Sequence, residues 1–239
     1  MKKRYIVGIS LVAVLLALVI GWGVYVGDYY SADETAVTAM AGSKMVSVQK
    51  ADKMTVFTPE SPTAGFLCYP GGKVEYTSYA PLVMALAERD VLCVLIQMPC
   101  NLAVLNPNAA EGIQKQFPEI QSWYIGGHSL GGSMAASYGA KHPEELKGLV
   151  LLAAYSTADL DDSRLDVLSI YGSDDGVLNM EKYESYRGNL PETTVEIVIP
   201  GGNHAGCGSY GVQDGDGEAS ISPAEQIQYT AERIAEFLK

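Results

Sequence analysis

The pentapeptide Gly127-His128-Ser129-Leu130-Gly131 constrains this chain more than any other segment. It lies between the apolar run Trp123-Tyr124-Ile125-Gly126, which predicts a strand, and the stretch Gly131 to Lys141, which predicts a helix stopped at His142-Pro143. A backbone that passes from strand to helix in so few residues turns sharply and forces the central serine into a strained conformation. Side chains at the flanking positions would collide in that turn, and glycine removes the collision. Gly132, Ala135 and Ala136 then let the helix lie close against a sheet.

The rest of the chain repeats this alternation. Met54–Thr58, Gly65–Tyr69, Val91–Gln97, Leu149–Leu152, Val167–Tyr171 and Val195–Ile199 predict strands. Ala80–Glu88, Ala109–Gln116 and an amphipathic Gln226–Leu238 predict helices. Near-continuous apolar strands between helices imply an α/β fold, a mostly parallel sheet with helices on both faces. Ligands of such sheets lie beyond the carboxyl ends of the strands. Few residues are left over between Ser129 and Asp175, so no large cap domain is expected, only a short lid at residues 99–107.

The first 27 residues follow another rule. Met1-Lys2-Lys3-Arg4 is basic, and no charged side chain occurs from Tyr5 to Gly27. As a helix this run covers roughly 30 Å of hydrocarbon. Trp22 and Tyr25 stand near its far end, where amphipathic rings favour an interface, and Asp28, Asp33 and Glu34 follow. The expectation is a single-pass membrane anchor over 1–27 with the larger domain extracytoplasmic. A cleaved signal peptide is the alternative, since Ala39-Met40-Ala41 fits a cleavage pattern. Residues 28–50 read as a linker and 51–239 as the catalytic domain. The net charge of −12 repels phosphate backbones, so nucleic acid is not an expected partner.

The elbow serine is a candidate nucleophile, and a serine needs a base. Only His128, His142 and His204 are available. His128 lies inside the elbow, where its side chain points away from Ser129. His142 ends a helix and suits a capping role. His204 lies in the loop Gly201-Gly202-Asn203-His204 after the last strand, the place of the base in the order serine, acid, histidine. The acid belongs after Val167–Tyr171, in Gly172-Ser173-Asp174-Asp175-Gly176. Asp175 is favoured because a G-x-x-D turn returns the fourth residue over the sheet; Asp174 is the runner-up. An oxyanion hole needs two backbone N–H groups. Leu130 supplies one, and Gly72 or Lys73 in Pro70-Gly71-Gly72-Lys73 supplies the other. No zinc spacing, phosphate loop or calcium loop is present, so neither metal nor cofactor is expected; 214–218 reads as a solvated acidic loop.

Taken together, Tyr69-Pro70-Gly71-Gly72-Lys73-Val74, Met98 to Val104, Gly126 to Gly132, Tyr171 to Gly176 and Gly201 to Ala205 resemble the bacterial alpha/beta hydrolase fold-5 family. Many members carry an N-terminal membrane segment. The resemblance covers nearly all of the chain after residue 50 and implies a triad of Ser129, Asp175 and His204. It also implies a departure: cysteines stand at 100 and 207, where that family has bulky apolar residues. In an extracytoplasmic compartment these two are a candidate disulfide, with two independent thiols as the alternative. Cys68 and Cys93 fall within strands and read as small hydrophobes. The expected activity is hydrolysis of a small ester or similar acyl bond through a Ser129 acyl-enzyme. Acyl transfer by the same triad and a non-catalytic surface protein on the same scaffold are the alternatives.

Overall fold

The protein is described by a computed structural model covering residues 2–239, with side chains for residue 11 and residues 13–239. Eight strands form one sheet: β1 (Val46–Ala51), β2 (Met54–Pro59), β3 (Ala64–Tyr69), β4 (Val91–Ile96), β5 (Trp123–His128), β6 (Gly148–Leu152), β7 (Asp166–Gly172) and β8 (Val195–Ile199). Their spatial order is β1-β2-β4-β3-β5-β6-β7-β8. The β1–β2 and β2–β4 pairs are antiparallel, and the pairs from β4 through β3 to β8 are parallel. Every residue of β3, β4, β5 and β6 is buried, which explains why those segments read as unbroken apolar runs.

Six helices accompany the sheet: α1 (Lys2–Gly27), α2 (Glu34–Ala39), α3 (Ala80–Ala87), α4 (Leu130–Lys141), α5 (Met180–Ser185) and α6 (Pro223–Phe237). The core is split by the sheet into two layers. On one side α3 and α6 bury Leu82, Leu86, Ile227 and Ile234 against Phe66, Cys68 and Leu168. On the other, α4 buries Ala135, Ala136 and Tyr138 against Leu67, Ile125 and Leu149. Each such Leu or Ile contributes roughly 1.5–3 kcal/mol by burial. Helix α6 begins at a capping box, with Ser222 Oγ accepting the Glu225 N–H and the Glu225 carboxylate accepting the Ser222 N–H.

Two expectations change, and a third falls partly outside the described residues. First, residues 28–50 are no tether. Tyr30 forms a parallel bridge with Val74, its N–H donates to the Lys73 carbonyl at 2.8 Å, and its carbonyl accepts the Glu75 N–H at 2.9 Å. Asp33 caps α2 by accepting the Ala36 N–H, and Ala36 is fully buried. Strand β1 then adds an edge to the sheet. Its signal is weak because an edge strand buries only one residue fully, Val46. Second, 109–116 forms turns and a short 3₁₀ segment, Gln114–Gln116, in place of a helix. Third, the apolar run at 5–27 has the side chains of 5–10 and 12 outside the described residues. Among the described residues no helix is long and apolar enough to cross a membrane. What is described of α1 beyond its first turns includes Leu11, Leu18, Val19 and Trp22, all exposed.

Candidate active site

Strand β5 ends at His128, and Ser129 follows with φ 51° and ψ −120° as the N-cap of α4. The strain expected of an elbow is therefore present at the serine. Main-chain bonds hold it: Ser129 N–H donates to the Leu152 carbonyl at 2.9 Å, and the Ser133 N–H donates to the Ser129 carbonyl at 3.1 Å. The flanking glycines are required by space. A Cβ on Gly127 would stand 2.7 Å from the Gly131 carbonyl carbon and from the Tyr69 oxygen, and one on Gly131 would run into the Pro70 carbonyl. Ser129 and His204 line one cavity of about 240 Å³ together with Leu130, Ala153, Tyr155 and Leu178.

His204 sits in the loop after β8 and its side chain is 1% exposed. Its Nδ1 lies 2.9 Å and 3.1 Å from the two carboxylate oxygens of Asp175, itself 2% exposed. Asp175 Oδ1 also accepts the N–H groups of Val177 and Leu178, at 2.9 and 2.7 Å. A carboxylate held on so many donors keeps the imidazole proton on Nδ1 and leaves Nε2 as the basic nitrogen. Asp174 makes no such contact; its carboxylate accepts the Ser173 hydroxyl at 3.2 Å.

Sequence reasoning missed what holds this loop. Asp216, in the segment read as solvated, accepts the N–H groups of His204 (3.1 Å), Ala205 (2.8 Å) and Gly176 (3.1 Å). One carboxylate thus ties the loop of His204 to the loop of Asp175. Gln226 works from beneath: its amide oxygen accepts the Asn203 N–H and its amide nitrogen donates to the Asn203 carbonyl, at 3.0 and 2.7 Å. The one sequence signal of that role is a glutamine among the apolar positions of α6, and it is fully buried.

The oxyanion-hole expectation narrows. Lys73 N–H donates to the Asn101 carbonyl at 2.8 Å, so Lys73 is not the second donor. Its ammonium pairs with Asp28 at 2.7 Å, and that hydrogen bond holds its pKa above the ordinary lysine value. Gly71 N–H donates to the Tyr79 hydroxyl at 3.0 Å. Gly72 N–H has no partner among the described residues, and Gly72 stands against Leu130, whose Cδ2 would be 2.9 Å from an added Cβ. Leu130 is the first residue of α4, where helix geometry leaves N–H groups without an acceptor.

The two remaining histidines have other neighbours. His142 stacks on Tyr138 with ring centroids 4.3 Å apart and lies 3.5 Å from Glu145. His128 is buried, its Nδ1 is 2.7 Å from the Tyr79 oxygen, and its ring centroid is 4.3 Å from that of His204. The Cys100–Cys207 disulfide is not formed. All four cysteines are free. Cys207 is enclosed in the core on the α3/α6 side, with burial pushing its thiol pKa up, whereas Cys100 is exposed on the turn after β4. Among the described residues no cluster of three or more His, Cys, Asp or Glu is placed to hold a metal ion.

Comparison with known proteins places the fold. Residues 65–228 fit the sequence pattern of the alpha/beta hydrolase family. The chain belongs to the alpha/beta hydrolase family. The fold of this hydrolase-family chain is similar to that of dienelactone hydrolase from Anabaena variabilis, at 14% identity and a TM-score of 0.60, covering 80% of this chain and 96% of that one. It is likewise similar to Est1E from Butyrivibrio proteoclasticus, at 14% identity and a TM-score of 0.58, covering 82% and 98%. No match was found among curated proteins.

Proposed function

We propose that this hydrolase-family chain is a serine hydrolase that cleaves a small ester or similar acyl bond, with Ser129 as nucleophile, His204 as general base and Asp175 as the acid that orients it. One observation carries the reading: a serine strained at φ 51° shares a cavity with a histidine whose Nδ1 is 2.9 Å from a buried carboxylate. In this mechanism His204 Nε2 removes the Ser129 hydroxyl proton as Oγ attacks the acyl carbon. The tetrahedral oxyanion accepts the N–H groups of Leu130 and Gly72. His204 then returns the proton to the leaving alcohol, the C–O bond to it breaks, and an acyl-Ser129 ester remains. Water, deprotonated by His204, attacks that ester and releases the carboxylic acid and free Ser129.

The small cavity supports a short acyl group. The connection from β6 to β7, residues 153–165, holds no helix or strand and thus no cap domain. A fluorophosphonate probe tests the class directly. It should form one adduct at Ser129, competed by p-nitrophenyl acetate, and an unlabelled but folded protein would overturn the reading.

We further propose that the chain sits at a membrane, with α1 as a single-pass anchor and the catalytic domain extracytoplasmic. The uncharged run from Tyr5 to Gly27 behind a basic cluster supports this, as do the exposed apolar side chains described in α1. Alkaline carbonate extraction of membranes tests it: full-length chain released with the supernatant would count against an anchor.

A further inference from the structure

The buried group that the catalytic reading leaves unused is the pair Tyr79 and His128. Tyr79 is wholly buried, and His128 is 1% exposed. The Gly71 N–H donates to the Tyr79 oxygen at 3.0 Å, and that oxygen lies 2.7 Å from His128 Nδ1. Gly71 is pressed against both, since a Cβ there would stand 2.6 Å from the Tyr79 oxygen and 2.8 Å from His128 Nδ1. On its other side the His128 ring meets the ring of His204.

The protons can be assigned by counting. If Nδ1 accepts the Tyr79 O–H, the one polar group of this pair left without an ordinary partner is His128 Nε2–H. If Nδ1 carried the proton, both the Tyr79 O–H hydrogen and the Nε2 lone pair would be stranded, and each stranded buried group is costly. His128 therefore carries its hydrogen on Nε2. That nitrogen has no hydrogen-bond partner among the described residues. The direction of the chain is then fixed: Gly71 N–H to Tyr79 O–H to His128 Nδ1, with the His128 ring packed on the ring of His204.

We propose that Tyr79 and His128 are positioning residues that set the distance between the oxyanion loop and the catalytic base. The proposal rests on the serine-hydrolase reading for its kinetic consequence but not for its proton assignment. The Gly71 N–H, one residue before the expected donor Gly72, is locked at one end, and the His204 ring packs on the His128 ring at the other. The elbow strand lies between them, so Ser129, its oxyanion donors and its base move as one body. His128 also has to stay neutral, because a cation 4.3 Å from His204 would oppose the imidazolium that forms there during the reaction. Tyr79 and His204, which touch it, supply no anion that would favour the charged form, and the Asp175 carboxylate behind them is engaged by His204 Nδ1.

The test uses the full-length chain with its histidines labelled with ¹⁵N. Only three imidazoles contribute, and long-range ¹H–¹⁵N spectra give the tautomer of each. Between pH 5.5 and 8, His128 should appear neutral with the hydrogen on Nε2. A hydrogen on Nδ1, or titration of His128 within that range, overturns the assignment whatever the chain's activity. The kinetic arm is Tyr79→Phe, which removes the hydroxyl and keeps the ring. It should lower kcat by about one to two orders of magnitude with KM changed by less than about threefold, as misplacement of reacting groups does. It should also mix the two His128 tautomers. A Tyr79→Phe variant with wild-type kcat and an unchanged His128 spectrum would overturn the positioning role, even if its thermal stability dropped. Failure of wild-type chain to label at Ser129 would instead sink the hydrolase reading and leave the tautomer result standing.

Discussion

Tyr30 is paired with Val74 through two main-chain hydrogen bonds, one on each side of it, to Lys73 and Glu75. The segment behind the first helix is therefore seated on the loop that carries Gly72. Further along, Ala32 N–H donates to the Glu75 carboxylate at 3.1 Å, and Asp33 N–H to the Ser209 carbonyl at 3.0 Å. The Tyr30 hydroxyl accepts the Asp214 N–H, and its ring packs on Tyr210. Residues 30–33 thus hold the loop of Gly72 and the loop that follows His204 together.

Two truncations separate anchor from brace. Removing residues 1–27 should leave kcat/KM within about twofold, whereas removing residues 1–33 should lower stability by roughly 3–7 kcal/mol, at about 0.5–1.5 kcal/mol for each of the five lost bonds. Urea midpoints and esterase rates of both shortened chains check this. Equal behaviour of the two would mean that the seated segment is ornamental.

Ser129→Ala should abolish turnover by several orders of magnitude while the protein keeps its fold. Purified variant with near wild-type esterase activity would disprove the proposed nucleophile.

Asp175→Asn should cost far more in kcat than Asp174→Asn. An amide at 175 cannot balance the imidazolium and can hold the wrong tautomer, while Asp174 meets only the Ser173 hydroxyl. The paired kcat values decide, and a larger loss at Asp174 would move the acid by one residue.

Asp216→Asn should reduce both stability, by about 1–3 kcal/mol, and kcat, because the amide replaces a charged acceptor of four N–H groups with a weaker one. Thermal melts and steady-state rates measured on the same sample check it. Unchanged kcat with lowered stability would confine Asp216 to folding.

Acid should expose His128. Burial first, and then the neighbouring His204, hold its pKa well below the ordinary histidine value of 6.5. In the window below about pH 6.5 the unfolded chain binds a proton that the folded chain refuses, so folded-state stability falls as pH falls; above about 6.5 this contribution is flat. The slope attributable to one such group is about 1.4 kcal/mol per pH unit. A His128→Asn variant should lose that component, seen as a smaller difference between urea midpoints at pH 7 and pH 5.5 than in wild type. An identical difference in both proteins would mean that His128 titrates normally.

Much of this site is legible in the sequence because its signals are local. β3 to β6 are buried along their whole length, so they stand out as apolar runs. The elbow is five adjacent residues, and elimination among three histidines isolates His204. What stays hidden depends on contacts between distant positions. Tyr79 and His128 are 49 residues apart, Ala32 and Glu75 are 43 apart, and Tyr30 meets Asp214 across 184. No periodicity marks an aspartate such as Asp216, three of whose partners are backbone N–H groups 11, 12 and 40 positions away. The Lys73 donor and the Cys100–Cys207 pairing fail for the same reason. Neither the Lys73–Asn101 bond nor the inward side of Cys207 can be read from neighbours in sequence.

Only Asp28 and Tyr29 separate the end of α1 from the seated Tyr30, and two residues reach at most about 7 Å. On an anchored chain that leaves no leash. The catalytic cleft would ride at a fixed height and orientation above the lipid, unable to sweep the surrounding solution. Its turnover would then follow the surface density of substrate delivered to that height more closely than the bulk concentration.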